Sequence, residues 1–183
     1  QKVKDKLEKL FTDTSYEINN LEHQLMEEIV DNSYTLIKGT APIIKDKTLI
    51  ISSNAKVASI VEDEFDDRNL TNALIHNFSN VKVIKFTKDE SFIKDALDIS
   101  KDYNNIIIYS YDAYNDNVQK EIINSLLKED KDIYVVSIKG PIDRGYFKNL
   151  KNYACLYEYT PNSIKTIVKQ LKGEIKLNGH LPE

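Results

Sequence analysis

Two places in this sequence gather residues able to do chemistry. Tyr109, Tyr111, Asp112, Tyr114 and Asn115 fall within one short span, where aromatic faces can cover an apolar ring surface and Asp112 and Asn115 can bond hydroxyl groups. The plainer and preferred reading of those tyrosines is that they lie half buried under loops. Glu62-Asp63-Glu64 is an acidic run, and a carboxyl group with a raised pKa could act as a general acid reaching into a neighbour's active site. Val61 and Phe65 beside it favour a solvated helix face instead. His23, His76 and His180 are scattered with no carboxylate or cysteine at ligand spacing, which argues against a metal. Ser52 or Ser137 can be set beside His180 on paper, but no Gly-x-Ser-x-Gly elbow is present.

The elements that must position these residues are legible from periodicity. Asn105 to Asp112 contains Ile106-Ile107-Ile108-Tyr109, apolar at every position, as expected of a strand covered on both faces. Thr48–Ile51, Val81–Lys85, Asp132–Ile138 and Ala154–Tyr157 are further strands, with helical patterns between them over about 69–78, 90–102 and 115–128. Pro141 is followed by a turn and a short helix around 146–150. Pro161 opens the last helix, with Ile164, Ile167, Val168 and Leu171 inward and Gly173 as its stop. The expectation is an α/β, flavodoxin-like three-layer sandwich on a mainly parallel five-stranded sheet.

Residues 1–39 read as a helical lead-in or brace, and 40–183 as the sandwich domain. Val3, Leu7, Leu10 and Phe11 share one helical face. Thr14 caps a second helix that carries Ile18, Leu21, Leu25, Ile29 and Leu36 inward and ends at Gly39.

Composition narrows the functions. Hydrophobic residues make up 41% and charged residues 30%, and no apolar run approaches the ~20 residues that cross a bilayer, so no membrane partner is expected. A net charge of -4 with both signs interspersed leaves no footprint for nucleic acid. The single Cys155 sits inside an apolar strand and leaves the compartment open, cytoplasmic or secreted. Between Gly39 and Gly140 there is no glycine, so the first three strand ends lack the close-approach backbone that cradles a phosphate, and no cofactor is expected. Asp112, Ser137 and Lys139-Gly140-Pro141 superficially match a phosphoacceptor receiver domain. The acidic pair such a domain needs after its first strand is replaced by Ser52-Ser53-Asn54.

The order of motifs resembles a known family. Ser33-Tyr34-Thr35-Leu36-Ile37-Lys38-Gly39, then Pro42-Ile43 and Lys47–Ile51, is similar to the entry into the C-terminal α/β sandwich of family 3 glycoside hydrolases. Thr160-Pro161-Asn162-Ser163, Leu171-Lys172-Gly173-Glu174 and Gly179-His180-Leu181-Pro182 resemble that domain's closing pattern. The resemblance runs from about Glu22 to Pro182, with Gly39 in place of the usual Asn and His180 in place of the usual Lys. Glu22-His23 looks most like the β-N-acetylhexosaminidase branch.

That resemblance implies a retaining hydrolase of β-linked sugars whose aspartate nucleophile and Asp/His acid/base pair lie in an N-terminal (β/α)8 barrel. No catalytic residue then falls on any position of this sequence. In other branches a sandwich glutamate supplies the acid/base, and neither Glu62 nor Glu64 matches it. The implied partner is the barrel, with carbohydrate as a further one. Contact with either is expected from the carboxyl edge of the sheet, through Ser53, Asn54, Glu62 and Glu64 on the loop after the first strand, and Tyr111, Asp112, Tyr114 and Asn115 on the turn after the third. The alternative is a free-standing flavodoxin-like binding or signalling domain.

Overall fold

A computed structural model describes residues 20–44, 46–53 and 70–181. Among these residues the chain runs α1 (Asn20–Ser33), β1 (Thr35–Lys38), β2 (Thr48–Ser52), α2 (Leu70–Asn77), β3 (Val81–Lys85), α3 (Ser91–Ser100), β4 (Asn105–Ser110), α4 (Asn117–Leu126), β5 (Asp132–Ser137), β6 (Asn152–Cys155) and α5 (Pro161–Lys172). Short 3-10 helices follow β4 at Ala113–Asn115 and β5 at Pro141–Tyr146.

The sheet order is β1-β6-β5-β4-β2-β3, with every pair parallel except β1 on β6. The five expected strands are all present, in the doubly wound arrangement. β4 is central because Ile106, Ile107, Ile108 and Tyr109 alternate between two apolar layers and are buried on both. On one face Leu49, Ile51, Ile106, Ile108 and Val135 pack under α3 and α4. On the other, Ile50, Ile107, Tyr109 and Val136 pack under α2 and α5. Side chains alternate across a strand, so an every-position apolar run requires both coverings.

Three expectations are corrected. The helix expected to reach Gly39 stops at Ser33, and Thr35–Lys38 is a sixth strand, antiparallel to β6 with Thr35 opposite Cys155. Gly39 does take a left-handed conformation (φ +73), but it turns the chain out of a strand packed against the backbone of Lys151. The face of α1 expected inward is outward: Leu21, Leu25 and Ile29 are exposed, while Glu27 and Asp31 face α5. The short helix expected around 146–150 is instead the 3-10 turn that begins at Pro141, where the fixed φ of proline suits the first position. Thr14, Ile18 and the 1–11 segment lie outside the described residues.

The last helix forms as the sequence demands. Thr160 accepts from Ser163 N while Ser163 Oγ accepts from Thr160 N, a reciprocal cap, and Gly173 closes the helix at φ +78. From there the tail turns back, and Gly179 N donates to Tyr34 O at 3.2 Å, bringing Gly179 beside the start of β1.

Candidate binding surface at the carboxyl edge

In an open α/β sheet the loops leaving the carboxyl ends of the strands carry the variable chemistry. Parallel register sets those ends side by side: Ser52 opposite Tyr109, Ser110 opposite Ser137, and Ser137 opposite Cys155. The turn after β4 and the turn after β5 therefore rise next to each other.

Each turn is held from below. Gln119, buried on α4, clamps the backbone of Tyr111: its Oε1 accepts from Tyr111 N and its Nε2 donates to Tyr111 O, both at 3.1 Å. Asp116 caps α4 by accepting from Gln119 N at 3.0 Å. Asp143, only 2% exposed on the turn after β5, reaches across to the turn after β4. Its carboxylate accepts from Ser110 Oγ and Ala113 N at 3.3 Å and from Tyr114 N at 3.1 Å. Ser137 Oγ lies 3.3 Å from the same carboxylate, but its one proton serves the closer Gly140 carbonyl at 2.6 Å. Three donors on a buried carboxylate make Asp143 the joint between the two turns.

Above this joint the exposed groups converge. Lys139 Nζ pairs with Asp112 Oδ2 at 3.0 Å and lies 5.7 Å from the centre of the Tyr111 ring. Burial alone would push the Asp112 carboxyl up, but the hydrogen bond and charge of Lys139, with Asn115 and Tyr114 adding, hold it below its ordinary value. Lys139 is raised in turn, first by its bond to Asp112. Tyr114 and Tyr146 stack at 6.0 Å with 23° between the rings, and Ile142 (65% exposed) and Tyr146 (52%) complete an apolar rim. A small cleft of about 170 Å³ opens between Asp112, Tyr114, Lys139, Gly140 and Ile142.

Backbone strain marks the same edge. Asp112 (φ 54), after β4, and Tyr157 (φ 69), after β6, are the non-glycine residues with positive φ among the described residues. A side chain in the left-handed region is disfavoured by about 1–2 kcal/mol, and such residues gather where a fold presents a working surface.

The residues expected to share this surface divide. Tyr111, Asp112, Tyr114 and Asn115 stand together, and Tyr109 is fully buried beneath them. Ser53 lies at the carboxyl end of β2, buried, with its N donating to Tyr109 O at 2.8 Å. Asn54, Glu62 and Glu64 lie outside the described residues. Asp143, Tyr146, Ile142 and the Gln119 clamp were not foreseen, although Lys139 stood out as part of a turn.

Chemically the exposed groups are suited to contact. The Asp143 carboxylate is committed to structural donors and the Asp112 carboxylate to Lys139, and no histidine of the described residues lines the cleft. Aromatic faces, one ion pair and amide groups suit a sugar or a protein surface.

No family model matches the chain, and no curated protein matches it by sequence. Solved structures do share its fold. A family 3 glycoside hydrolase, the β-N-acetylglucosaminidase from Paenibacillus sp. str. FPU-7, superposes with a TM-score of 0.75 at 22% identity, over 93% of this chain and 34% of that one. A fungal multi-domain family 3 β-N-acetylglucosaminidase matches at TM-score 0.64 and 21% identity, over 86% and 18%. The β-glucosidase of Listeria innocua, in complex with glucose, matches at 0.68 and 11% identity, over 91% and 28%. The chain thus has a fold found in one portion of these larger proteins, and it spans about a third of their length or less.

Proposed function

We propose that this chain is the C-terminal α/β sandwich domain of a larger family 3 glycoside hydrolase of the β-N-acetylglucosaminidase kind, acting on amino-sugar β-glycosides such as those of cell walls. The observation that carries the proposal is the superposition on the Paenibacillus β-N-acetylglucosaminidase, which takes in 93% of this chain but only 34% of the other. The motif order from Glu22 to Pro182 supports the same assignment. In this reading the nucleophile and the acid/base belong to an N-terminal (β/α)8 barrel, and the domain by itself is inert.

The carboxyl edge is the side assigned to that barrel or to its sugar. Tyr111, Asp112, Tyr114 and Asn115, with Tyr146 and Lys139, offer a rigid aromatic and charged rim held from below by Asp143 and Gln119. Ser53 stands on the same edge at the carboxyl end of β2, and the proposal keeps Asn54, Glu62 and Glu64 as candidate contacts from the sequence alone. A rim already ordered before contact loses little entropy on binding.

The test compares the 183-residue chain with the full-length protein that contains it. The chain alone should not turn over a chromogenic β-N-acetylglucosaminide, and the full-length protein should. Turnover by the chain alone would sink the assignment, as would an upstream reading frame that does not encode a barrel. Placement is tested by Tyr114→Ala with Tyr146→Ala in the full-length protein. Activity and thermal stability identical to the parent would remove the carboxyl edge from the interface.

A further inference from the structure

Along the sequence the two signs of charge are interspersed, but the fold gathers four lysines at the amino edge of the sheet, opposite the rim of Tyr111, Tyr114 and Tyr146. Lys38 ends β1, Lys128 follows α4, and Lys148 and Lys151 lie in the segment that enters β6. They meet because β1 runs antiparallel to β6, which sets Lys38 opposite Tyr153 at the start of β6. Asn152 fastens this corner: its Oδ1 accepts from Thr40 N at 3.0 Å, and its Nδ2 donates to Ile133 O at 3.2 Å. An open trough of about 630 Å³ lies among these segments, and the buried Leu127 and Leu150 line it together with the lysines. All four lysines are exposed, and among the described residues none has a carboxylate within ion-pair distance, whereas Lys139, Lys165 and Lys169 are paired. Two acids share the trough. Glu129 is taken up by Lys131 at 2.8 Å, which leaves Asp130 alone against the four lysines. A chain of net charge -4 thus carries a locally positive hollow, where unpaired ammonium groups gain from an incoming anion.

We propose that this trough binds an anionic sugar polymer, a hydroxyl-bearing chain with repeated carboxylate or phosphate groups. Lysine is a point charge that meets either anion, and no arginine lines the trough to demand a planar, two-pronged partner. Asn149 and Asp130 stand among the lysines and can bond hydroxyl groups, which a charged sugar carries and a bare polyphosphate lacks. No aromatic side chain lines the trough, so it offers nucleic-acid bases nothing to stack on. Its openness lets a chain pass across it, and contacts too weak singly add when one polymer makes several of them. The six residues of β5 set the trough about 17 Å from the carboxyl edge, which a bound polymer leaves free. The inference uses no contact at that edge and does not rest on the family assignment.

The experiment titrates the 183-residue chain with an oligogalacturonate, a phosphorylated malto-oligosaccharide, neutral maltoheptaose and an oligoadenylate, following amide shifts. Saturable shifts at Lys38, Lys128 to Asp130 and Lys148 to Lys151 are expected with at least one of the two charged sugars, and none with maltoheptaose. Whichever charged sugar binds names the anion. Affinity should fall roughly 10-fold or more between about 50 and 200 mM salt. Lys148→Glu with Lys151→Glu should weaken binding by at least about 10-fold at unchanged Tm, since both side chains are exposed. Lys85→Glu with Lys88→Glu makes the same change in net charge at the far end of β3 and should weaken it no more than about twofold. Equal losses in the two double variants would overturn the proposal, because net charge and not the trough would then set the affinity. So would the absence of saturable shifts with both charged sugars, shifts confined to residues outside the trough, or tighter binding of oligoadenylate than of either sugar.

Discussion

The Asp143 carboxylate lies 3.1 Å from the backbone nitrogen of Tyr114, so the turn after β5 holds the turn after β4 by its main chain. A contact that takes the main-chain N–H as donor does not depend on which side chain Tyr114 carries. Asp143→Ala would leave the amides of Ala113 and Tyr114 and the Ser110 hydroxyl without their acceptor, in a place water barely reaches. The loss should be on the order of 3 kcal/mol in urea unfolding. Asp143→Asn keeps one acceptor oxygen and should lose about half as much. A loss below 0.5 kcal/mol on the order of surface substitutions would show that the joint is not structural.

Asp112 combines a strained backbone with an ion pair, and substitutions separate the two. The pair with Lys139 is half exposed and screened by solvent, so its loss is readily offset by relief of the left-handed side chain. Asp112→Gly loses the pair and relieves the strain, so stability should change little. Asp112→Ala loses the pair and keeps the strain. The alanine variant should therefore unfold about 1 kcal/mol more easily than the glycine variant. Equal stabilities would mean that the φ of 54° costs nothing in this protein.

Two left-handed glycines should respond differently to alanine. At Gly39 a Cβ would overlap the Lys151 carbonyl and the Asn152 side chain, whereas at Gly173 it would meet only Ile43 at 3.5 Å. Gly173→Ala should cost about 1 kcal/mol, the conformational term alone. Gly39→Ala should cost about 2–3 kcal/mol, because backbone must move as well. Matching melting temperatures for the two variants would contradict this.

The contact between α1 and α5 should depend on pH at both ends. Glu27 is lowered, first by its hydrogen bond to Lys165 and then by that lysine's charge, so its contribution is present above the ordinary carboxylate range and lost as pH falls through the lowered value. Lys169 is raised, first by its bond to Asp31, so its contribution is complete below the ordinary lysine value and lost as pH rises through the raised one. The brace should be firmest between about pH 5 and about pH 10. Opening measured by amide exchange at Met26 to Val30, corrected for intrinsic rates, should increase outside that window. Constant protection from pH 3 to 8 on the order of a full core helix would exclude a charge-held brace.

How far the sequence could be read depended on whether one physical effect dominated each segment. β2, β4 and β5 were legible because their inner positions run apolar without alternation, and only a doubly covered strand needs that. β1 was not. Leu21, Leu25, Ile29 and Leu36 keep a helical period past the true end at Ser33, and the pairing that makes Thr35–Lys38 a strand lies far away in β6. The same period misassigned the faces of α1, because hydrophobic spacing shows that a helix has a face but not which partner meets it. At the candidate surface, Tyr111 to Asn115 stood out as a dense polar and aromatic turn. Asp143 did not, since a single acid after a proline reads as solvated, and only the parallel register of β4 and β5 brings it under Tyr114.

The position of β1 has a consequence for how the chain reaches its structure. Asn152 Oδ1 accepts from Thr40 N across 112 residues, and the pairing of β1 with β6 closes a loop of similar size. Every other strand pair closes a loop of about half that size or less. The β1 contact can form only once β6 has been made, so among the described strands the earliest to be synthesised is the last to dock. Until then residues 34–38 are an unpaired, partly apolar segment, and the interval between their synthesis and that of Asn152–Cys155 is when a nascent chain is most open to pairing with a neighbour.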